Sequence, residues 1–398
     1  MWTRRQFLKT ASVSMAALLA PPALLRSARA RASASDPVLV LLFQRGAADG
    51  LNLVAPHGDP YYLQLRPSIG LPTASLLELD GFFGLHPSLA PLLPFFQSGD
   101  LAIIHAAGTP DASRSHFDTQ DFVEYGTADK TITEGWLNRY LAAAGLSSSF
   151  AAITLAPRPV KSLVGGVPTL AFSSLASLQL IGTFQTQESQ AITAIQGASG
   201  GLLADAAALA FSTEQVLRSV NTSTSVSYPG TPLASALRDL AALIKADIGV
   251  RVVAIDSGGW DHHGDINRLL PISASTLAQA LAAFATDLGG DLDRTLLMTV
   301  TEFGRRAQEN GGGGADHGHG GVMFALGGGI HGGRVMLRDQ IWPGLGPQQL
   351  FESIDLAVTT DVRDAFSEAL DRHMGLSNLG AIFPAYTPDA TLYPGLYT

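Results

Sequence analysis

Short, wholly apolar runs alternate along the chain with stretches whose apolar positions recur every three to four residues. The clearest run is Val38-Leu39-Val40-Leu41-Leu42-Phe43, residues 101–104 and 322–326 repeat it, and 250–255 and 295–300 are similar runs that include Arg251 and Thr295 with Thr299. Continuous apolar runs of this length predict strands covered on both faces. Residues 152–155 and 169–172 are weaker strands of the same kind. Between them, residues 88–96 form a short apolar helical pattern, and 233–246 place Leu237, Leu240, Leu243 and Ile244 at helical spacing. Residues 273–288 are alanine-rich and amphipathic. Residues 361–374 open on an N-cap aspartate, with Asp364 where a helix dipole favours an acid. This alternation predicts an α/β fold in three layers, a mostly parallel sheet with helices on both faces. No linker rich in proline, serine or charge divides residues 31–398, so they read as one domain. Residues 173–227, rich in Ser, Thr, Gln and Ala, read as a helical insertion or cap.

The N-terminus departs from this pattern. Thr3-Arg4-Arg5-Gln6-Phe7-Leu8-Lys9 has the form of a twin-arginine export signal, and residues 11–25 are apolar but broken by Pro21-Pro22. That stretch is shorter than the roughly 20 apolar residues a bilayer requires. Ala28-Arg29-Ala30 is a cleavage signature, with Ala32-Ser33-Ala34 as a second choice. The expectation is a signal over residues 1–30 and a periplasmic or secreted protein handled by the twin-arginine export machinery. No other stretch reads as a membrane span. Removing the five cations of the signal takes the formal charge from −9 to −14. Nucleic acid and anionic lipid, which reward basic patches, are poor partners for such a chain. There is no cysteine, so any metal must be held by His, Asp, Glu or hydroxyl oxygen.

In open α/β sheets, ligands bind beyond the carboxyl ends of the strands. Four predicted strands run there into unusual polar residues. The first leads to Arg45 and Asp49, the second to His105 and then Ser113-Arg114-Ser115-His116, the third to Asp261-His262-His263. The fourth leads to Glu302 and then to Gly311-Gly312-Gly313-Gly314-Ala315-Asp316-His317-Gly318-His319. Asp49, Asp261, His263, Asp316, His317 and His319 are therefore the candidate metal ligands. Imidazole and carboxylate without thiolate suit one or two divalent ions of Zn, Mn, Fe or Mg. Each candidate has a plain alternative: Asp49 a turn residue, His105 a core histidine, Glu302 an ion-pair partner for Arg305 or Arg306. Ser115 is either a nucleophile beside the metal or a helix N-cap. Arg45 and Arg114 either bind an anionic substrate or pair with local acids. No H-E-x-x-H, G-x-S-x-G or P-loop occurs. The G-x-G-x-x-G match at 327–332 precedes another strand rather than a helix, which rejects a dinucleotide site.

The segments 43–52, 113–120, 259–263, 301–306 and 316–320 together resemble the DUF1501 family of exported bacterial proteins. That resemblance implies an alkaline phosphatase/sulfatase-like fold. It also implies roles: Asp49 as the first metal aspartate, Ser115 as the nucleophile, Asp261 with His263 and Asp316 with His317 as metal pairs, and His319 as a further imidazole. Asp261 and His263 stand two apart, where the superfamily commonly uses four. The function so implied is a metal-dependent hydrolase of phosphate or related anionic esters. The alternative is a non-catalytic cell-envelope protein that keeps the fold and a structural metal.

Overall fold

A computed structural model describes residues 36–178 and 212–397. The expected signal over residues 1–30, and residues 179–211 of the expected insertion, lie outside the described residues.

The main sheet contains β1 (Val38–Gln44), β2 (Leu101–Gly108), β3 (Ala152–Thr154), β4 (Leu170–Ala171), β5 (Val252–Ser257), β6 (Thr295–Val300), β7 (Gly321–Gly327), β8 (Val335–Met336) and β9 (Thr360–Asp361). Their spatial order is β8-β2-β7-β6-β1-β5-β3-β4, with β9 paired beside the end of β2. Every pairing is parallel except those of β7 with β6 and β2. A small antiparallel sheet joins Val54–Ala55, Leu77–Glu78 and Gly84–Leu85. The helices that matter here are α1 (His116–Tyr125), α2 (Trp136–Ala143), α3 (Pro232–Lys245), α4 (Ile266–Leu288) and α5 (Val362–Glu368), the last continuing as a π-helical turn through His373.

The three layers follow from side-chain alternation along β1. Val38, Val40 and Leu42 enter one core with Leu237 and Leu240 of α3 and Leu277, Leu281 and Phe284 of α4. Leu39, Leu41 and Phe43 enter the other core with Trp136 and Tyr140 of α2 and Phe366 of α5. Both faces being covered, the strand is apolar without interruption, and fully burying such a side chain contributes about 1.5–3 kcal/mol.

Three elements differ from expectation. Helix α4 begins at Ile266, not at 273, and carries Pro271 inside it. The lost backbone hydrogen bond is offset by the burial of Ile266 and Leu270 in the core. By length and composition this helix is apolar enough to cross a bilayer, yet half of the qualifying window is buried within the fold. Strand β2 runs on to Gly108, so His105 lies inside the sheet. There its Nε2 donates to the Val54 carbonyl (2.9 Å) and its Nδ1 accepts from the Ala106 amide (2.8 Å). Desolvation pushes its pKa down to about 4, so it is a neutral core histidine. Strand β7 is antiparallel, which is why the glycine loop leaves the carboxyl end of β6 and re-enters at the same edge.

Candidate metal centre

The carboxyl edge gathers the segments after β1, β2, β5 and β6. Arg305 ties three of them together. Its buried guanidinium donates to the carbonyls of Ala47 (2.7 Å), Gly46 (2.6 Å) and Ala315 (3.1 Å), and to Asp261 Oδ1 (2.6 Å). The backbones approach closely enough that two glycines are obligatory. At Gly46, where φ is +118°, a Cβ would lie 2.6 Å from the Asp261 amide nitrogen. At Gly318 it would lie 2.3 Å from the Arg305 carbonyl carbon. The glycine loop is thus held by backbone contact, and its Gly312 and Gly313 carbonyls accept the first amides of α4.

Onto this frame converge three imidazoles and one carboxylate. Asp261 Oδ1 lies 3.1 Å from His263 Nε2, 3.5 Å from His317 Nε2 and 3.6 Å from His116 Nε2. His263 Nε2 and His317 Nε2 are 2.8 Å apart. The ligand atoms of His116, Asp261 and His317 all lie within 4.8 Å of one another, a group that could hold one metal ion, and His263 Nε2 abuts its Asp261 and His317 members. Phe303, buried beneath, holds the His116 and His317 rings at centroid distances of 5.0 Å.

Each imidazole has its other nitrogen engaged by an oxygen that can only accept. His116 Nδ1–H donates to Glu302 Oε1 (2.6 Å), His317 Nδ1–H to the Arg114 carbonyl (2.9 Å), and His263 Nδ1–H to Asp316 Oδ1 (3.3 Å). This turns the Nε2 lone pairs of His116 and His317 toward Asp261, while His263 stands between two carboxylates and its Nε2 meets His317 Nε2 at 2.8 Å, a contact that needs a hydrogen or a cation between them. His116 Nε2 is buried without a hydrogen-bond partner among the described residues. Lone pairs so arranged repel unless a cation stands between them, and outer acceptors of this kind orient histidines on metals. The donor set therefore fits a divalent metal ion.

The electrostatics agree. Burial opposes ionisation of Asp261, but the Arg305 guanidinium and the neighbouring imidazoles hold its carboxyl below the usual range. Burial likewise opposes ionisation of Glu302, but hydrogen bonds from Gln120, backbone amides and His116 hold it low. Desolvation, with help from nearby His116 and Arg305, lowers the His317 pKa against the hydrogen bond to the Arg114 carbonyl.

Of the six residues expected as ligands, the structure brings together Asp261, His263 and His317. Asp49 is elsewhere: both its oxygens accept from Arg66 Nη1 at 2.8 Å, and Oδ1 also caps the Asn52 amide. Asp316 stands behind His263, held by Asn310 Nδ2 (2.9 Å), so the His263 ring separates it from Asp261. His319 is buried and stacked on Phe351 at 4.4 Å. Ser115 is the N-cap of α1, its Oγ accepting from the Asp118 amide (3.4 Å). Arg114 pairs with Asp355 and Glu352, and Arg45 with Glu124 and Asp256. Glu302 pairs with His116 rather than with an arginine. His116 itself escaped the sequence reading. The available signal was its position at the start of α1, with Gln120 and Glu124 four and eight residues on; these two contact Glu302 and Arg45 at the same edge.

Fold and cluster together define an α/β protein whose sheet carries, at its carboxyl edge, a His116–Asp261–His317 group that could hold a metal ion, with His263 beside it. The chain belongs to the family described as "Protein of unknown function (DUF1501)", which matches residues 101–383. No curated protein matches it. Among solved structures it is similar to the C-terminal periplasmic domain of EcEptC from Escherichia coli, in complex with Zn (10% identity, 91% of each chain covered, TM-score 0.40). It is also similar to the PsFucS1 sulfatase from Pseudoalteromonas sp. (13% identity, 93% of this chain and 72% of that chain, TM-score 0.35).

Proposed function

We propose that this protein is an exported, metal-dependent hydrolase of phosphate or related anionic esters, with an alkaline phosphatase-like fold. The observation that carries this reading is the convergence of His116, His263 and His317 Nε2 on Asp261 Oδ1, each ring oriented by its own acceptor. A divalent cation held by these four groups would supply Lewis-acid activation of an ester and of its attacking oxygen. Glu302, Asp316 and the Arg114 carbonyl hold the three rings in the ligating tautomer. Arg305 keeps Asp261 ionised and aimed. The side chains of Asp261 and His263 remain about half exposed (49% and 45%), which leaves an approach for substrate. Among the nearby arginines, Arg306 makes no ion pair within the described residues, and its Nε has no hydrogen-bond acceptor. Asp316 and Asp355 feel its charge. Export rests on the Arg4-Arg5 segment and the cleavage signature that follows it.

A second reading is a non-catalytic envelope protein with a structural metal. It is favoured by one observation: Ser115 serves as a cap, and Arg45 and Arg114 are already paired with acids. Metal analysis of the folded protein, with a panel of phosphate mono- and diesters, separates the two. Bound metal with turnover, both lost in His317→Ala, supports the hydrolase. Stoichiometric metal without turnover supports the non-catalytic role, and no bound metal at neutral pH rejects the hydrolase.

A further inference from the structure

Arg114 meets the frame of the cluster at both of its ends. Its carbonyl accepts the His317 Nδ1–H (2.9 Å). Its guanidinium reaches the turn over residues 351–355. There Nε donates to Asp355 Oδ2 (2.8 Å), and Nη2 donates to the same oxygen and to Glu352 Oε2 (2.7 Å). That turn is itself built onto the segments that follow β6. The Ala307 amide donates to the Ile354 carbonyl (3.1 Å), the Gly320 amide donates to the Leu356 carbonyl (2.9 Å), and Phe351 carries the His319 ring at 4.4 Å. The loop before α1 has no comparable tie of its own. Among the described residues, the other hydrogen bonds of residues 113–115 stay within 111–119.

Stability alone does not account for the turn. Asp355 is fully buried, and its Oδ1 has no hydrogen-bond partner among the described residues. Burying a carboxylate with one oxygen unpaired opposes folding. Glu352 and Ser353 take φ of +50° and +62°, a left-handed backbone that residues with a side chain rarely adopt. A half-satisfied buried acid and two strained residues thus meet at one place, and the turn they make delivers two carboxylates to one arginine. His116 stands two residues beyond that arginine. We infer that Asp355 is a positioning residue of the cation site: by pinning the Arg114 side chain, it fixes the loop that supplies both the His317 acceptor and His116. This inference rests on the metal-binding reading of the cluster and adds to it an acid that acts through Arg114.

The test is titration of the metal-free full chain with Zn²⁺ and with Mn²⁺ against a chromophoric chelator, joined to long-range proton–nitrogen NMR of the histidine rings. Asp355→Ala is expected to weaken the metal by about 10–100-fold, the scale of an outer partner. In the metal-free protein it should also let the His317 ring populate both tautomers. His105, bonded to the Val54 carbonyl inside the sheet, should keep its single tautomer, which a general loosening of the fold would not allow. Asp355→Asn retains an acceptor for the Arg114 Nε–H and should restore most of the affinity. Should Asp355→Ala not fold, Arg114→Met combined with Asp355→Leu removes both charges together, strands neither, and should show the same weakened binding. If these variants bind metal as the wild type does and His317 keeps its tautomer, the pin is wrong while the metal-binding reading stands. Equal loss of tautomer order at His317 and His105 would show a merely structural role and overturn the inference. If the wild type binds neither ion, the metal-binding reading fails and takes the pin with it.

Discussion

Asp49 and Asp261 occupy equivalent places, each just beyond a strand at the same sheet edge, yet they do opposite things. Asp49 is 1% exposed, with both oxygens on Arg66, whose remaining donors reach Asn52 and the carbonyls of Arg306 and Ala307. That carboxylate is a closed ion pair. Asp261 is half exposed, takes one arginine on Oδ1, and turns the same oxygen toward three imidazoles. Burying a carboxylate with a fully engaged arginine makes a structural post. Leaving it at the surface with unprotonated nitrogens around it makes a cation site. The histidines follow the same division. His86 and His105, which feel the charge of Asp49, are neutral and buried, whereas His116, His263 and His317 turn their Nε2 toward the open cluster.

The sharpest way to break the comparison is to cut the closed pair. Arg66→Ala strands a buried carboxylate and is expected to cost about 3–5 kcal/mol of stability; denaturant unfolding measures it. If Arg66→Ala unfolds normally but Asp49→Asn loses metal, the division drawn here is reversed. On the open side, Asp261→Asn or His317→Ala should remove metal binding more completely than the roughly 10–100-fold effect of an outer partner. The metal-free fold should persist, as metal titration combined with circular dichroism would show. Glu302→Gln should weaken metal by about 10–100-fold, because His116 loses the acceptor that fixes its tautomer.

Acid should act on the closed side. Desolvation depresses the pKa of His86 and of His105 from 6.5 to about 4 in the fold. Above 6.5 both states are neutral and nothing is gained or lost. Between 6.5 and about 4 the unfolded chain binds protons that the fold refuses, so stability falls as pH falls, on the order of 1 kcal/mol per pH unit for each histidine. Urea midpoints across that window check this, and His105→Gln should flatten the slope. The smallest effect belongs to Ser115→Ala, about 1 kcal/mol for a lost cap. Unchanged metal content is expected there, and a loss of metal would draw Ser115 into the centre.

Much of this was legible in the chain. Residues 38–43 read as a strand because both its faces are covered, so no polar residue interrupts it, and 295–300 reads alike although it buries Thr295 and Thr299. The glycine loop read as a site, although its glycines turn out to serve close backbone contact with Arg305 and His263 as much as conformational freedom. His116 was hidden because the eye goes to its neighbour Ser115, and only the direction of the first turn of α1 decides which of the two faces the cluster. The antiparallel course of β7 was hidden because an apolar run carries no sign of its direction.

What the sequence by itself determined is local or compositional. It set the alternation of strands and helices, the delivery of polar residues to one sheet edge, and a ligand chemistry limited to nitrogen and oxygen by the lack of cysteine. What only the tertiary structure decided is which acid receives a buried arginine and which receives imidazoles. Arg66 lies 17 residues from Asp49, and Arg305 lies 44 from Asp261. Periodicity and turn chemistry act over a few residues, whereas the pairing of charges depends on which backbones the fold brings within hydrogen-bond reach, and no local pattern records that.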